Sequence, residues 1–221
     1  NLNLNDLIAA LTNDFAPRIQ GLDTAKHTLF VQSVGGNDPI NDPDRDEDEP
    51  VATYRGREIH LCFVGDPGVA KTQLMEHALE LHPGSQRASG SRCSVAGLVG
   101  TAAGNNAILG NSNSGIKPGL MALVSPGGIL GIDELNNLAK GDKKATIEAM
   151  NEALESGRVS SAMSFTGTVI TKTPVIMVLN PVKGKTDQNK FDLESSVPLK
   201  EQIGVPGNTL SRMDIVIAFF D

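Results

Sequence analysis

The sequence predicts an α/β domain in which a mostly parallel sheet is covered by helices on both faces, and three observations lead there. Four short, nearly continuous apolar runs, at 59–64, 129–132, 175–179 and 215–220, suit strands buried on both sides. Stretches with helical apolar spacing alternate with these runs along the chain. The first run passes straight into a glycine-rich loop and then into a helix.

In chain order, Leu7, Ile8, Leu11 and Phe15 recur at helical spacing behind the possible caps Asn5 and Asp6, and Pro17 stops that helix. Asp23 is a candidate cap for a second helix carrying Leu29 and Phe30, closed by Gly35–Gly36. Residues 37–50 are acidic, broken by proline and almost free of apolar side chains. They read as a solvated insertion or as an acidic docking patch for a partner. A helix over 72–81 stops at His82-Pro83-Gly84, and another over 142–155 places Ile147, Met150 and Leu154 on one stripe before Ser156-Gly157. Residues 84–119, rich in Gly, Ser and Asn, form either an ordered functional insertion or a flexible one.

The 221 residues, 39% hydrophobic, are enough for one large domain, read as 1–221. A net charge of −7 excludes a protein that is basic overall, so contact with nucleic acid would need a local basic patch. Cys62 and Cys93 form no CxxC pair and read as reduced structural thiols, and the four histidines show no metal-ligand spacing. No apolar run reaches the roughly 20 residues a bilayer requires, and no signal peptide is visible, so a soluble protein without a membrane partner is expected.

The chemistry concentrates in four places. In Gly65-Asp66-Pro67-Gly68-Val69-Ala70-Lys71-Thr72, successive N–H groups of a glycine-rich turn and the following helix N-terminus can cradle phosphates. Lys71 reaches the β- and γ-phosphates, and the Thr72 hydroxyl can ligate Mg²⁺. Ala70 stands where the usual pattern has glycine, which requires the backbone there to avoid positive φ. Asp133 and Glu134 follow a buried strand, at the edge where open α/β sheets bind ligands. Asp133 is suited to holding Mg²⁺ and Glu134 to polarising an attacking water, unless the pair only caps the next helix. Asn180, at a strand tip before Pro181, can hydrogen-bond the γ-phosphate and the lytic water, or be a turn asparagine. Arg212 can stabilise phosphoryl charge on a neighbouring subunit, or pair with Asp214.

Together GDPGVAKT, GILGIDEL, the strand ending in LNP, and LSRMD resemble the Walker A, Walker B, sensor 1 and arginine-finger motifs of the MCM helicase family of AAA+ ATPases. Alanine in the P-loop is itself a habit of that family. APRIQGLDTAK, RGREIHLCFVGD, SGSRCSVAGLVGTA and KATIEAMNEALESGRVS are similar to further family segments, so the resemblance covers nearly the whole chain. It implies a P-loop AAA+ core that binds ATP or ADP with Mg²⁺, assembles as a hexameric ring and threads single- or double-stranded DNA through a central channel. It also implies that Ile19, Gln20 and Gly21 lie near the adenine, that 95–120 contains a helix-2 insertion, and that 158–172 forms the pre-sensor-1 hairpin.

Three departures bear on these implications. The hairpin stretch SAMSFTG lacks the family's lysine, leaving Lys117 and Lys172 as the nearest substitutes for DNA contact, with a solvated turn as the plainer reading of Lys172. Lys143 stands where the family has arginine. The family's helical lid and N-terminal DNA-binding domain are expected to be absent from these residues. Cytoplasmic localisation is expected, or nuclear if the source is eukaryotic. The alternatives are a MoxR- or magnesium-chelatase-like remodeller, or a nucleotide-binding relative that has lost turnover.

Overall fold

The computed structural model describes residues 3–35, 58–102, 116–124, 127–135, 143–161, 167–182, 190–191 and 196–220. The acidic segment 37–50, half of the expected helix-2 insertion and the tip of the expected hairpin lie outside them.

Helices α1 (Leu4–Asp14) and α2 (Asp23–Val34) lead to strand β1 (Leu61–Gly65), the P-loop and helix α3 (Lys71–Leu81). Strand β2 (Gln86–Ser89) is followed by a 3₁₀ turn, Gly90–Arg92, and then by α4 (Val95–Leu98), β3 (Gly100–Ala102), β4 (Ile116–Pro118), α5 (Leu120–Val124) and β5 (Leu130–Asp133). Helix α6 (Lys143–Ser156), strands β6 (Arg158–Ser161), β7 (Gly167–Ile170) and β8 (Val175–Leu179), helices α7 (Leu199–Gln202) and α8 (Gly207–Leu210), and strand β9 (Ile215–Phe219) complete the order. The first helix begins at Leu4, so Asn5 and Asp6 lie inside it. Asp23 is the first residue of α2 behind a left-handed Leu22, so it adds charge to the first turn instead of capping it.

Five strands form one parallel sheet in the order β2-β5-β8-β1-β9, the α/β core that the apolar runs predict. Alternation along its strands divides the core in two. Cys62, Val64, Leu130, Ile132, Val175, Met177 and Leu179 face α4, α5 and the Ile147, Met150 and Leu154 stripe of α6. Leu61, Phe63, Ile176 and Val178 face α2, α3 and Phe15. Each fully buried side chain of this kind contributes about 1.5–3 kcal/mol, which is what holds the strand ends in fixed relation. Where α3 crosses β5, a Cβ on Gly131 would sit 2.8 Å from the Met75 sulfur, so glycine there permits close packing of helix on sheet. Gln32 of α2 donates to Ile59 O at 2.8 Å and Val175 O at 3.1 Å, fastening that helix to the entry of two central strands.

Two small antiparallel pairs stand beside the main sheet. Strands β6 and β7 pair Arg158 with Ile170 through Ser161 with Gly167, forming a hairpin within the expected 158–172. Strands β3 and β4 pair Gly100 with Pro118 and bracket residues 103–115. Strand β4 lies against β7, so the two pairs are neighbours.

Candidate nucleotide site

The P-loop leaves β1 at its C-terminal end, the edge of a parallel sheet where ligands bind. Asp66 is buried and its Oδ1 accepts the Phe191 N–H at 2.7 Å, anchoring the loop from outside. Pro67 and Gly68 are exposed, and Val69 and Ala70 half-buried. Ala70 adopts φ 61°, ψ 12°, against the expectation that alanine there requires negative φ. A left-handed alanine costs about 1–2 kcal/mol. The position is held because the Ala70 carbonyl accepts from Leu74 N at 3.0 Å, the first turn of α3.

Lys71 folds back into the loop, with Nζ donating to Gly65 O at 2.9 Å and Asp66 O at 2.5 Å. Only 4% of the residue is exposed. Burial pushes its ammonium down from 10.5 to about 8, against the pull of Asp66 and Asp133. A polyphosphate entering the loop would replace the two carbonyls as partner and restore the charge.

Asp133 closes β5, and its Oδ2 lies 3.4 Å from Thr72 Oγ1, across 61 positions of sequence. Magnesium binds oxygen at 2.0–2.1 Å in octahedral geometry, so adjacent ligands stand about 3 Å apart and the rest of its shell comes from phosphates and water. Thr72 and Asp133 fit that donor pair. The same Oδ2 accepts Arg87 Nη2 at 2.7 Å, and Arg87 Nη1 pairs with Glu76 of α3. Arg87 was not visible in the sequence as a site residue, because nothing there joins the edge strand β2 to Asp133.

Glu134 follows with φ 55°, its N–H bonded to Val178 O at 2.9 Å. A Cβ on Gly90 would come within 2.3 Å of the Glu134 carbonyl, so only glycine lets the 3₁₀ turn close on this backbone. Asn180 lies one residue beyond β8, and it lines one cleft of about 250 Å³ together with Pro67, Gly68, Ala70, Lys71, Thr72 and Gln73. The sequence reading had no reason to single out Gln73.

A second cleft opens on the far side of Val69, between Leu22–Ala25 and 217–220. Ile19, Gln20 and Gly21, the residues expected near adenine, stop one position short of that lining. The Ile19 carbonyl accepts from the buried Lys26 Nζ at 2.9 Å. Gly21 has φ 67°, and the left-handed Leu22 turns the chain into the cleft.

Arg212 lies away from these groups. Its Nε donates to Asn151 O at 3.1 Å, Nη1 to Asn208 O at 2.5 Å, and Nη2 pairs with Glu155, while Asp214 accepts the His60 N–H at 2.8 Å. Lys117 is exposed on β4. Lys172, just past β7, is half-buried with its stem packed over Gly157. Lys117 belongs to the β3–β4 pair, and Lys172 lies two residues beyond the β6–β7 pair. Cys62 is buried in β1, which pushes its thiol up to about 12. No helix among the described residues is long and apolar enough to cross a membrane.

The model of the MCM P-loop domain matches residues 2–221. The chain is similar to DNA replication licensing factor Mcm3 of Drosophila melanogaster, 28% identical over 98% of this chain and 24% of the relative. It is similar to MCM7 of Arabidopsis thaliana at 28% over 98% of this chain and 27% of the relative, and to MCM6 of that plant at 29% over 99% and 24%. The chain thus spans about a quarter of the length of these curated relatives. The match favours the MCM reading over a MoxR- or chelatase-like remodeller, and it makes this a nucleotide-binding P-loop domain. With the parallel core, the phosphate loop and the strand-end carboxylates in agreement with that match, the chain belongs to the MCM family.

Proposed function

We propose that this chain is the ATP-hydrolysing motor domain of a DNA helicase that works as a hexameric ring. The observation that carries the reading is the meeting of Lys71, Thr72 and Asn180 at one cleft, with Asp133 bonded to Thr72 and Glu134 next in the chain, at the C-terminal ends of the adjacent strands β1, β8 and β5. The backbone of Gly65–Thr72 and the α3 N-terminus bind the phosphates of ATP or ADP, with Lys71 supplying a charge at the β- and γ-phosphates. Thr72 and Asp133 hold Mg²⁺, which when bound neutralises phosphate charge. Glu134 orients and polarises the attacking water, and Asn180 holds that water against the γ-phosphate. The base and ribose sit between the 19–25 segment and 217–220, so the adenine assignment extends from Ile19, Gln20 and Gly21 to Leu22 and the residues beyond it.

Arg212 serves the nucleotide of the neighbouring subunit. Lys117 on β4 and Lys172 just past β7 stand at the neighbouring small strand pairs, a placement that would let them contact the DNA backbone in the channel. Localisation follows the source, nuclear in a eukaryote and cytoplasmic otherwise.

The test is ATP hydrolysis by the assembled protein, with and without single-stranded DNA, for wild type, Glu134→Gln, Arg212→Ala and a mixture of the two variants. DNA should raise the wild-type rate. Each variant alone should lose at least about a hundredfold, the scale of a lost transition-state donor. The mixture should regain activity, because some interfaces then pair an intact Glu134 with an intact Arg212. Nucleotide binding without hydrolysis or DNA response would instead mark a relative that has lost turnover.

A further inference from the structure

Among the described residues, Arg87 is the cation hydrogen-bonded to the carboxylate expected to hold metal. It reaches Asp133 from the edge strand β2, on which Arg87 is exposed and only Ala88 is buried. Nη2 donates at 2.7 Å to the same Oδ2 that faces Thr72 at 3.4 Å, and Nη1 is bound to Glu76. Asp133 is nearly enclosed, its side chain 12% exposed, whereas Arg87 and Glu76 are open at 45% and 43%. The guanidinium therefore has one buried partner and one in solvent, on separate nitrogens, and can give up the first while keeping the second.

We propose that Arg87 is a metal-sensing placeholder: it competes with the divalent cation for the Asp133 oxygen and yields it while remaining on Glu76. The inference rests on the Mg²⁺–nucleotide reading of the site. An ion held between Thr72 and Asp133 competes with Arg87 for the same Oδ2, and it repels a guanidinium at that distance. Before metal arrives, Arg87 cancels the charge of Asp133, which would otherwise repel the phosphates. Arg87 thus lowers the affinity for the metal and raises the affinity for metal-free nucleotide, making nucleotide capture less dependent on the cation. Glu76 sets the balance, because without it both arms of Arg87 turn to Asp133.

The experiment is a titration of the chain with a fluorescent ATP analogue, with Mg²⁺ and with EDTA, together with Mn²⁺ binding to the nucleotide complex followed by electron paramagnetic resonance. Wild type, Arg87→Gln, Arg87→Lys and Glu76→Gln are compared after circular dichroism has shown each folded. Arg87→Gln should bind Mn²⁺ about tenfold more tightly and metal-free nucleotide more weakly, a loss on the scale of one charge-assisted hydrogen bond. Glu76→Gln, on the exposed face of α3, should shift Mn²⁺ affinity the opposite way, and Arg87→Lys should fall between wild type and glutamine. Unchanged Mn²⁺ affinity in both Arg87→Gln and Glu76→Gln, with nucleotide still bound, overturns the placeholder role. Absence of nucleotide binding in wild type overturns the site reading itself, and this inference with it.

Discussion

Lys71 offers a quantitative check on the phosphate loop. Its ammonium titrates at about 8 because burial disfavours the charge. Nucleotide phosphates oppose that effect and should return it at least to the ordinary lysine value of 10.5. At pH 9 a group titrating at about 8 is about 10% charged, and one at 10.5 is about 97% charged. Binding should then take up about 0.9 proton per nucleotide at pH 9 and about 0.1 at pH 7. Isothermal calorimetry in two buffers of different ionisation heat reads this number directly. Equal uptake at the two pH values would refute the argument, since it would mean that Lys71 is fully charged in the empty loop.

The same property bears on stability. Because the folded value lies below the unfolded one, the unfolded chain holds more protons between about 8 and 10.5, so Lys71 makes the protein more stable as pH rises through that window. Below it, the buried charge costs at most about 3 kcal/mol, the free energy equivalent of the full gap. Lys71→Met should therefore raise the unfolding free energy at pH 7 by up to that amount while abolishing nucleotide binding. The gain should disappear toward pH 10.5.

Two further outcomes are expected. Ala70→Gly relieves about 1 kcal/mol or more of left-handed strain and adds up to about 1 kcal/mol of unfolded-chain entropy, so denaturant unfolding should show a change between zero and a slight gain. Ala149→Gly, inside α6, should cost about 1 kcal/mol, and equal losses for the two would contradict the left-handed conformation at 70. Glu155→Gln should change stability by under about 1 kcal/mol, as for an exposed ion pair, yet lower kcat of the assembled ring several-fold with nucleotide affinity unchanged, because Arg212 loses the charge that pairs with it at Glu155. An unchanged kcat would sever Glu155 from the positioning of Arg212.

The elements that strong apolar patterning marks were legible in the sequence to within a residue or two. β8 spans Val175–Leu179 as the apolar run indicates, and α6 carries the stripe expected of it. Strand β2 was not legible. Gln86-Arg87-Ala88-Ser89 buries only Ala88, and an edge strand need not be apolar on two faces. The same blindness hid Arg87, whose meaning comes from β2 pairing beside β5 in register, Arg87 with Gly131 and Ser89 with Asp133. The phosphate loop was legible because its chemistry is local. The second cleft was not, since half of its wall comes from 217–220, almost two hundred residues beyond Leu22. Ala70 shows a rule applied too strictly: a methyl group is small enough for positive φ when a helix start holds it there.

The strained residues explain why the site needs so rigid a platform. Among the described residues, the non-glycine positions with positive φ are Ala16, Leu22, Ala70 and Glu134. Ala16 and Leu22 bracket the segment leading into the second cleft, Ala70 ends the phosphate loop, and Glu134 follows the carboxylate that faces Thr72. Each such residue costs about 1–2 kcal/mol and persists only where its surroundings over-determine it. Phe15 and Ala16 are buried against the core, Glu134 is bonded to Val178 and covered by Gly90, and Ala70 is fixed by α3. Leu22 and Ala70 thus line the two clefts, and the strain is offset by the packed sheet beneath them. A substitution that loosened that sheet, such as Met177→Ala between β5 and β1, should impair nucleotide binding before it unfolds the chain, because the strained turns relax first.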